Sequence, residues 1–544
     1  MANYKILKNS KALCSQKFSR SKSTNLFFFL LAGCGGNLEK NELLIENSVT
    51  FVTPQTSYGL ENTGQLSDPY WLKAVQAEQT STNGIINVLN ASGGNFKYTF
   101  PSVQPQYLTN ENDLQNWAPV TEEVKTASRK IFNDLSNILA VQFVEATSPY
   151  GTSVISIMSN KQTETTGYAY GPLDVLVPTE NYLFSDVFFD LDYLNPTLNG
   201  SKTNFDYELL IHEIGHTIGL RHPFLQNTGD GTLLSPLEEN NRWTVMSYNF
   251  DKNYFDGEFR ILDLASLVNL FGVSQYYFPE DDVYNFLSWQ GRILIDGAGI
   301  DTITAENYLS HAYIDLRANT HSYIGKKEEL ITKAYQLTVG DSIIENVIGG
   351  NGNDWIIGND VDNILDGRSG NDVLYGGEGK DRMIGGRGDD TIDLSETNFV
   401  EDQVIFEAEI NSNGKDEIIN FKQGISGDVF IINSFSGSAL LFQYLMPNQE
   451  SSVDISGKIS LWNFQKLPNL DDLKNSLTDN NDFSYLNLDT GSSAIVILSE
   501  NEMKGKDQHI FYLKKVDTNV SVYELAVIKG EDLSLNEWTE YNFI

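Results

Sequence analysis

The segment "HEIGHTIGLRHP" (residues 212–223) contains three of the chain's six histidines, and no histidine occurs in the 211 residues before it. His212 and His216 are four residues apart, so on a helix they project from the same side, one turn apart. Two imidazoles at that spacing can bind one zinc ion, and Glu213 can reach a water molecule on the metal and remove its proton. The spacing therefore predicts a metal site that activates water.

A third ligand follows the helix. Gly219 permits a turn with positive φ, which would bring His222 back toward the first two histidines. Three histidines leave one coordination position open for water or substrate, as a catalytic zinc site requires. A structural zinc site is the alternative, but Glu213 would have no role in it and a fourth protein ligand would be needed. The pattern favours the catalytic interpretation.

A methionine turn supplies a second, independent signal in "WTVMSYNF" (residues 243–250). HExxHxxGxxH followed by a methionine turn resembles the metzincin pattern. Pro223 after the third histidine and Met-Ser-Tyr in the turn resemble the serralysin family of zinc proteases. The resemblance implies that Met246 forms a hydrophobic floor under the histidines. It also implies that Tyr248 is a displaceable zinc ligand that stabilises the oxyanion. Without the motif, Met246 would be interpreted as an ordinary core methionine.

The elements that must position these residues come before and around the motif. "ELLIHEIGHTIGL" (208–220) predicts a helix with one apolar face. Alternation and helical periodicity predict strands at 94–100, 153–158 and 185–190 and a helix at 121–139. The strand "TGYAYGP" (166–172) is our candidate for the edge that pairs with a substrate backbone, and a plain surface strand is the alternative. With the resemblance, this predicts an α+β zincin/metzincin catalytic domain.

Five consecutive nonapeptides begin at Gly349: "GGNGNDWII", "GNDVDNILD", "GRSGNDVLY", "GGEGKDRMI" and "GGRGDDTID". They match GGxGxDxUx, where U is a large apolar residue, which is the repeat of parallel β-rolls. Glycines permit the tight turn, and the aspartate and turn carbonyls offer oxygen ligands to calcium. A glycine-rich linker, the alternative, would have no fixed period. The repeats therefore predict a calcium-binding β-roll, with these side chains pointing inward: Ile356, Leu365, Leu374, Met383 and Ile392.

The resemblance to serralysins also implies that two nonapeptides form one coil, with calcium between alternate turns. The implied ligands form two stacks, Asp354, Asp372 and Asp390 on one and Asn363 and Asp381 on the other. Val361 and Asn363 replace the usual glycine and aspartate of the second repeat, so we expect weak or absent calcium at that half-site. Asp296 and Asp301 are further candidate ligands where the roll begins. The glycines of the calcium turns are Gly349, Gly352, Gly367, Gly370, Gly376, Gly379, Gly385 and Gly388.

The ends of the chain resemble export signals. A basic stretch and a short apolar run precede "LAGCGG", which resembles a bacterial lipobox and would make Cys34 a lipidated residue; an ordinary basic leader is the alternative. "EYNFI" (540–544) resembles a signal for the type I secretion machinery. The two routes conflict, but both place the protein outside the cytoplasm. The expected divisions are an export leader (1–34), a metalloprotease domain (50–275), the β-roll (280–395) and a β-rich C-terminal region (396–544).

Composition narrows the classes of partner. A formal net charge of −36 and a pI near 4.4 argue against nucleic acid as the main partner. The two cysteines provide no disulfide framework, and no later apolar run is long enough to predict a transmembrane helix.

The sequence therefore predicts an extracellular zinc endopeptidase, acting on protein and peptide substrates, with a calcium-stabilised C-terminal roll. Two alternatives remain. One is a calcium-dependent surface or adhesion protein that keeps a protease-like fold. The other is a non-peptidase zinc hydrolase, which the methionine turn disfavours.

Overall fold

The computed structural model describes residues 69–76, 94–151, 154–163, 165–170, 184–191, 205–224, 231–251, 254, 257–406, 413–423, 427–432, 441–445, 453–454, 458–464, 486–487, 492–500, 507–516, 519–529, 538 and 542. The predicted leader, with Cys34, and most of "EYNFI" lie outside these ranges. Within them, no helix is long and apolar enough to cross a membrane.

The first part of the described chain mixes helices with a six-stranded sheet. Its strands follow the order β3-β1-β4-β6-β5, and β2 pairs with β4. β1, β3, β4 and β6 are parallel, whereas β5 runs antiparallel to β6 and ends the sheet. The elements are α1 Tyr70–Val75, β1 Asn95–Thr99, α2 Glu111–Leu114, β2 Ala118–Pro119, α3 Glu122–Ile138, β3 Gln142–Glu145, β4 Val154–Asn160, β5 Gly167–Ala169, β6 Phe184–Asp190, α4 Phe205–Thr217 and α5 Ile261–Phe271.

Helix α3 shows why the sequence folds in this way. The hydroxyl of Thr121 caps it by accepting from the backbone N–H of Val124 at 3.4 Å. Val124, Ala127, Ile131 and Leu135, which share one face of the helix, are buried in one core with residues of β4, β6, α4 and α5. The helix predicted over 121–139 and the strands predicted at 94–100, 153–158 and 185–190 are thus confirmed, with small shifts at their ends.

The second part is a roll of short strands that pair in parallel, except that His321–Ile324 runs antiparallel to both of its neighbours. Its first members are β7 Val283–Asn285, β8 Arg292–Leu294, β9 Thr302–Thr304, β10 Ala312–Asp315, β11 His321–Ile324, β12 Gln336–Val339, β13 Asn346–Ile348, β14 Trp355–Ile357, β15 Ile364–Asp366, β16 Val373–Tyr375, β17 Arg382–Ile384 and β18 Thr391–Asp393. Strands 18 residues apart pair in parallel, such as Ile356 with Leu374 and Leu374 with Ile392. Two nonapeptides therefore form one coil. The five apolar residues predicted to point inward are all fully buried.

The two ladders of the roll continue past residue 395, where the regular repeats stop. β17 pairs with β19, β19 with β21, and β18 with β20, all in parallel. The strands that follow include the runs "SAIVIL" (493–498) and "VYELAVI" (522–528). These elements are β19 Gln403–Phe406, β20 Asp416–Ile419, β21 Val429–Ile432, β22 Leu441–Leu445, β23 Val453–Asp454, β24 Lys458–Phe464, β25 Leu486–Asn487, β26 Ser493–Glu500, β27 Gln508–Val516 and β28 Asn519–Lys529.

The start of the roll shares a core with the helical part. Ile293, Ile295 and Ile331 are buried in the same cluster as the helices and the first sheet. Nearby, the fully buried Glu238 accepts from the hydroxyl of Tyr70 at 2.7 Å and from the hydroxyl of Thr332 at 2.8 Å. The roll and the helical part therefore pack directly against each other.

Candidate metal centre

Three imidazole nitrogens converge at the C-terminal end of α4. Nε2 of His222 lies 3.1 Å from Nε2 of His212 and 3.1 Å from Nε2 of His216. In a tetrahedral site with Zn–N bonds of about 2.0–2.1 Å, ligand nitrogens are about 3.3 Å apart. The spacing of the three nitrogens thus fits a zinc ion and leaves a fourth position for another ligand.

The turn after α4 brings His222 into this group. The helix ends at Thr217, three residues earlier than the sequence predicts, because Gly219 has a φ of 105°. The backbone N–H of Leu220 then donates to the carbonyl of Gly215 at 3.0 Å, which closes the turn. The role expected of Gly219 in redirecting the chain therefore agrees with the backbone geometry.

The other ring nitrogens of the two helical histidines face backbone carbonyls. Nδ1 of His212 lies 2.7 Å from the carbonyl of Val245, and Nδ1 of His216 lies 3.0 Å from that of Leu220. A carbonyl only accepts, so both Nδ1 atoms carry the proton and both Nε2 atoms keep a lone pair for a metal. Burial lowers the pKa of His212 to about 3 and of His216 to about 4, and lowers the pKa of His222 well below its usual value. The rings are therefore neutral at neutral pH.

Glu213 is buried beside the histidines. Its Oε2 atom has no hydrogen-bond partner among the described residues, which is unusual for a buried carboxylate. Burial raises the pKa of Glu213 to about 8. A cation at the histidines would favour its charged form. The free oxygen is the feature expected of a base that meets a water molecule or substrate.

Met246 and Tyr248 approach the histidines from the turn between Trp243 and α5. Met246 is fully buried, and a Cβ at Gly215, between the two helical histidines, would lie 3.0 Å from its sulfur. The Tyr248 ring stands 4.7 Å from the His222 ring and 5.6 Å from the His212 ring, centroid to centroid. Pro223 is buried directly after His222. The residues singled out from the sequence are thus brought together around one point.

Strand β5, within the predicted segment 166–172, forms the edge of the first sheet next to this group. A Cβ at Gly167 would lie 3.3 Å from Oε1 of Glu213. Asp113 holds this edge in place, because it accepts from the hydroxyls of Tyr168 and Tyr170 at 2.6 and 2.9 Å. This contact could not be predicted, since Asp113 is more than 50 residues from both tyrosines.

The predicted calcium turns stack as the repeats imply. The backbone N–H of Asp354 donates to Oδ1 of Asp372 at 2.7 Å, and the N–H of Asp372 donates to Oδ1 of Asp390 at 2.8 Å. On the other side the N–H of Asn363 donates to Oδ1 of Asp381 at 2.9 Å. The second carboxylate oxygens of Asp372, Asp381 and Asp390 are buried without a hydrogen-bond partner in the described ranges. Buried carboxylate oxygens that lack a hydrogen-bond partner are suited to bind a cation.

The glycines that begin the repeats make room for those free oxygens. A Cβ at Gly367, Gly376 or Gly385 would lie 2.5 Å or less from the free Oδ2 of the aspartate in its own repeat. A Cβ at Gly349 would lie 2.9 Å from Oδ2 of Asp354, which accepts from the N–H of Gly350. The other turn glycines include Gly370, Gly379 and Gly388, which have positive φ, and Gly352, whose Cβ would meet backbone atoms of Ser310 and His311. Burial raises the pKa of Asp372 to about 8 and those of Asp381 and Asp390 to about 7. A cation would relieve this unfavourable burial of charge.

Asn363 differs from the aspartates. Its Oδ1 accepts from the backbone N–H of Asn359 at 2.8 Å, and its Nδ2 donates to the carbonyl of Glu345 at 2.9 Å and to Oδ1 of Asn359 at 3.1 Å. Both polar atoms of the Asn363 side chain therefore have hydrogen-bond partners within the protein, and its oxygen is not free. This agrees with the weak or absent calcium expected there.

Sequence reasoning missed three members of the stacks. The N–H groups of Asp381, Asp390 and Asp402 donate to Oδ1 of Asp402, Asp416 and Asp428 at 2.9, 3.1 and 3.1 Å. The segments that lead to these three aspartates do not keep the nine-residue length of the repeats, so the period is lost. The signal that remained is an aspartate just before an apolar pair, as in "DQVIF", "DEIINF" and "DVFII".

A cluster of three aspartates lies where the roll begins. Asp282, Asp296 and Asp301 place oxygens within 4.8 Å of one another. Asp296 and Asp301 were candidates from the sequence, whereas Asp282 was not. Burial raises the pKa of Asp301 to about 6.

Parts of the chain are similar to known proteins. The RTX calcium-binding nonapeptide repeat matches residues 339–360 and 357–392. The chain is 29% identical over 295 residues to serralysin of Proteus mirabilis, covering 48% of this chain and 58% of that protein. It is 26% identical to metallopeptidase AprA of Pseudomonas marginalis, covering 48% and 59%. It is 34% identical over 173 residues to serralysin B of Dickeya chrysanthemi, covering 27% and 35%. The chain thus spans less than two thirds of the length of these relatives.

Proposed function

We propose that this chain, a relative of the serralysins with RTX calcium-binding repeats, is a zinc-dependent endopeptidase that acts outside the cytoplasm. The observation that carries the proposal is the convergence of three Nε2 atoms beside a buried glutamate whose Oε2 is free. In this proposal the first part of the chain is an α+β domain of the zincin/metzincin type. His212, His216 and His222 would hold the zinc.

When bound, zinc supplies a Lewis acid that polarises a carbonyl and lowers the pKa of water. Glu213 takes the proton from the attacking water and delivers it to the leaving amine. Its burial excludes bulk water from that transfer. The Tyr248 hydroxyl would be the displaceable ligand of the zinc and would donate to the oxyanion that develops on the substrate carbonyl. Met246 supports the helix beneath the histidines.

The substrate backbone is proposed to pair with β5. This strand ends the sheet, and a Cβ at Gly167, its first residue, would lie 3.3 Å from Oε1 of Glu213. An extended peptide added to such an edge is bound mainly through main-chain hydrogen bonds, which tolerates varied side chains. We therefore expect broad specificity for unfolded proteins and peptides.

Calcium is proposed to stabilise the roll. Its ligands would be Asp354, Asp372 and Asp390 on one side, and Asp381 on the other, where Asn363 weakens the site. Asp282, Asp296 and Asp301 would form a further site. Calcium is abundant outside cells, which suits a roll that folds after export. Anchoring through Cys34 and export by a type I machinery remain the two proposed routes.

The test is cleavage of unfolded casein by the full chain, refolded with calcium and zinc, beside Glu213→Gln. This substitution keeps the size of the side chain but removes the base. We expect the rate to fall by about a hundredfold to ten-thousandfold, with zinc content unchanged. A zinc-selective chelator should stop wild-type cleavage, and added zinc should restore it.

Two outcomes contradict the proposal. If the variant cuts as fast as wild type, Glu213 is not the base. If neither protein cuts although each binds one zinc ion, the chain is a binding or adhesion protein that keeps a protease-like fold.

A further inference from the structure

Asp263 lies at the start of α5 and is fully buried. Its Oδ2 accepts from the backbone N–H of Val245 and from that of Arg260, each at 2.8 Å. Its Oδ1 accepts from the hydroxyl of Thr244 at 2.6 Å. Both oxygens of one carboxylate are therefore engaged, and two of the three donors belong to the turn that carries Met246.

The same turn holds a ring of the metal centre. The Thr244 hydroxyl oxygen accepts from the N–H of Met246 at 3.1 Å, and the carbonyl of the same peptide group, that of Val245, accepts from Nδ1 of His212 at 2.7 Å. A continuous path of hydrogen bonds thus leads from Asp263 through Thr244 and the Val245–Met246 peptide to His212. Each link orients the next, and buried chains of this kind strengthen one another.

We propose that Asp263 is a positioning residue for the metal. By fixing the Val245–Met246 peptide, it fixes the ring orientation of His212 and keeps the proton on Nδ1, so that Nε2 faces the metal. The inference rests on the proposed zinc function of the histidines. Partners outside the ligand shell tune metal sites in this way, and their loss typically costs about tenfold to a hundredfold in metal affinity or activity.

A second contact ties α5 to the helix that carries two of the histidines. The guanidinium of Arg260 donates to Oε1 of Glu208 at 2.5 Å, and both side chains are buried. Glu208 lies on α4, four residues before His212 and therefore one turn away. The beginning of α5 thus holds the methionine turn through Asp263 and the histidine helix through Arg260.

A merely structural role is the competing explanation, because Asp263 also caps α5 by accepting from the backbone N–H of Arg260. Loss of a cap lowers the stability of the protein whether or not a metal is bound. Loss of a positioning residue instead changes how the folded protein binds the metal. Metal affinity of the folded, metal-free protein separates the two roles.

The experiment uses the full chain with calcium throughout and compares Asp263→Asn, Thr244→Val and Ser266→Ala with wild type. Ser266→Ala is the matched control. Ser266 is also buried in α5 and donates to the carbonyl of Leu262 at 2.8 Å, but it lies one turn away from the contacts with the methionine turn. The zinc dissociation constant is measured by competition with a chromophoric chelator. The visible spectrum of the cobalt-substituted protein reports the geometry of the ligands.

We expect Asp263→Asn to weaken zinc binding by about tenfold to a hundredfold and to change the cobalt spectrum. Thr244→Val should weaken binding severalfold, Thr244→Ser should restore it, and Ser266→Ala should leave the affinity within about twofold of wild type. If Asp263→Asn does not fold, the Thr244 pair still tests the path.

The proposal is overturned if the Asp263 and Thr244 variants bind zinc as tightly as wild type and give its cobalt spectrum. Because the readout is zinc binding, this failure is distinct from that of the proposed function. In the latter case the wild type would bind zinc with normal affinity but cleave no protein.

Discussion

A methyl group at Gly167 would press against the carboxylate of Glu213. A Cβ at Gly167 would lie 3.3 Å from Oε1 of Glu213 and 3.3 Å from the Phe189 ring. Gly167 does not have positive φ, so alanine would not strain the backbone itself. The close approach of the sheet edge to the proposed base therefore depends on the absence of a side chain at residue 167.

Gly167→Ala should accordingly displace Glu213 and lower kcat/KM by roughly tenfold, while zinc content and stability change little. The measurement is peptide cleavage together with metal analysis. Gly94→Ala provides a contrast, because Gly94 has open space around it but a φ of 80°. That variant should lose stability and keep the activity of each folded molecule. Equal activity of Gly167→Ala and wild type would show that Glu213 tolerates the methyl group.

Asn363→Asp should create calcium binding at the second repeat. The change removes the amide that donates to the Glu345 carbonyl and provides a free oxygen like those of the neighbouring aspartates. We expect tighter or additional calcium binding by titration calorimetry. Without calcium, stability should fall because a hydrogen bond is lost and a charge is added. Asn307→Asp, which adds the same charge at an exposed position outside the repeats, should change neither. Unaltered calcium binding in Asn363→Asp would contradict the role given to the asparagine.

Asp186 should make stability depend on pH. Burial raises the pKa of Asp186 to about 7, and the carboxyl accepts from the Tyr107 hydroxyl at 2.9 Å. Between about pH 4 and pH 7 the folded state binds more protons at this residue than the unfolded state. Stability is therefore present at low pH and lost as the pH rises through that window.

Asp186→Asn should remove this loss. Relative to wild type, the variant should gain on the order of a few kcal/mol in the free energy of unfolding between about pH 5 and pH 8. Denaturant unfolding in saturating calcium measures the difference at both pH values. Asp134→Asn, an exposed aspartate paired with Lys130, should shift both values equally and by less than about 0.5 kcal/mol. A difference between Asp186→Asn and wild type that does not vary with pH would refute the assignment.

Calcium removal should loosen the helical part as well as the roll. Ile331 comes from the roll region but is buried in the core that contains α3, and Thr332 bonds to Glu238 of the helical part. Hydrogen exchange of the α3 amides should therefore accelerate when calcium is chelated.

Ile331→Ala should weaken that coupling and cost about 2–5 kcal/mol with calcium present. Ile343→Ala is the control, because Ile343 is 57% exposed and should have little effect. If α3 exchanges equally with and without calcium in wild type, the two parts are stabilised independently.

The residues of the candidate metal centre and of the candidate calcium turns could be located from the sequence because their spacing is local. HExxH requires only one helical turn, and the nonapeptide requires only one repeat, so chemistry and period are visible in a short stretch. The inward residues Ile356, Leu365 and Leu374 followed from the same period.

Contacts between distant segments could not be predicted. Asp263 reaches Val245 across 18 residues, and Asp113 reaches Tyr168 across 55, with no periodic pattern linking either pair. The end of α4 was placed three residues late because apolar residues continue past Thr217, whereas the backbone at Gly219 has already left the helix. Likewise, the roll continues through Asp402, Asp416 and Asp428 after insertions have removed the period.

The ladder of aspartates gives the roll a direction. The amide of Asp354 depends on the carboxylate of Asp372, that of Asp372 on Asp390, and that of Asp390 on Asp416. In every case the acceptor lies on the coil that follows. Removing a coil at either end breaks backbone hydrogen bonds, since the N–H of Val373 also donates to the carbonyl of Asp354 on the preceding coil. Removing the following coil in addition takes away the carboxylate that accepts from a buried aspartate N–H. A chain whose later coils have not yet formed therefore lacks the carboxylates that accept from the last coil it has completed.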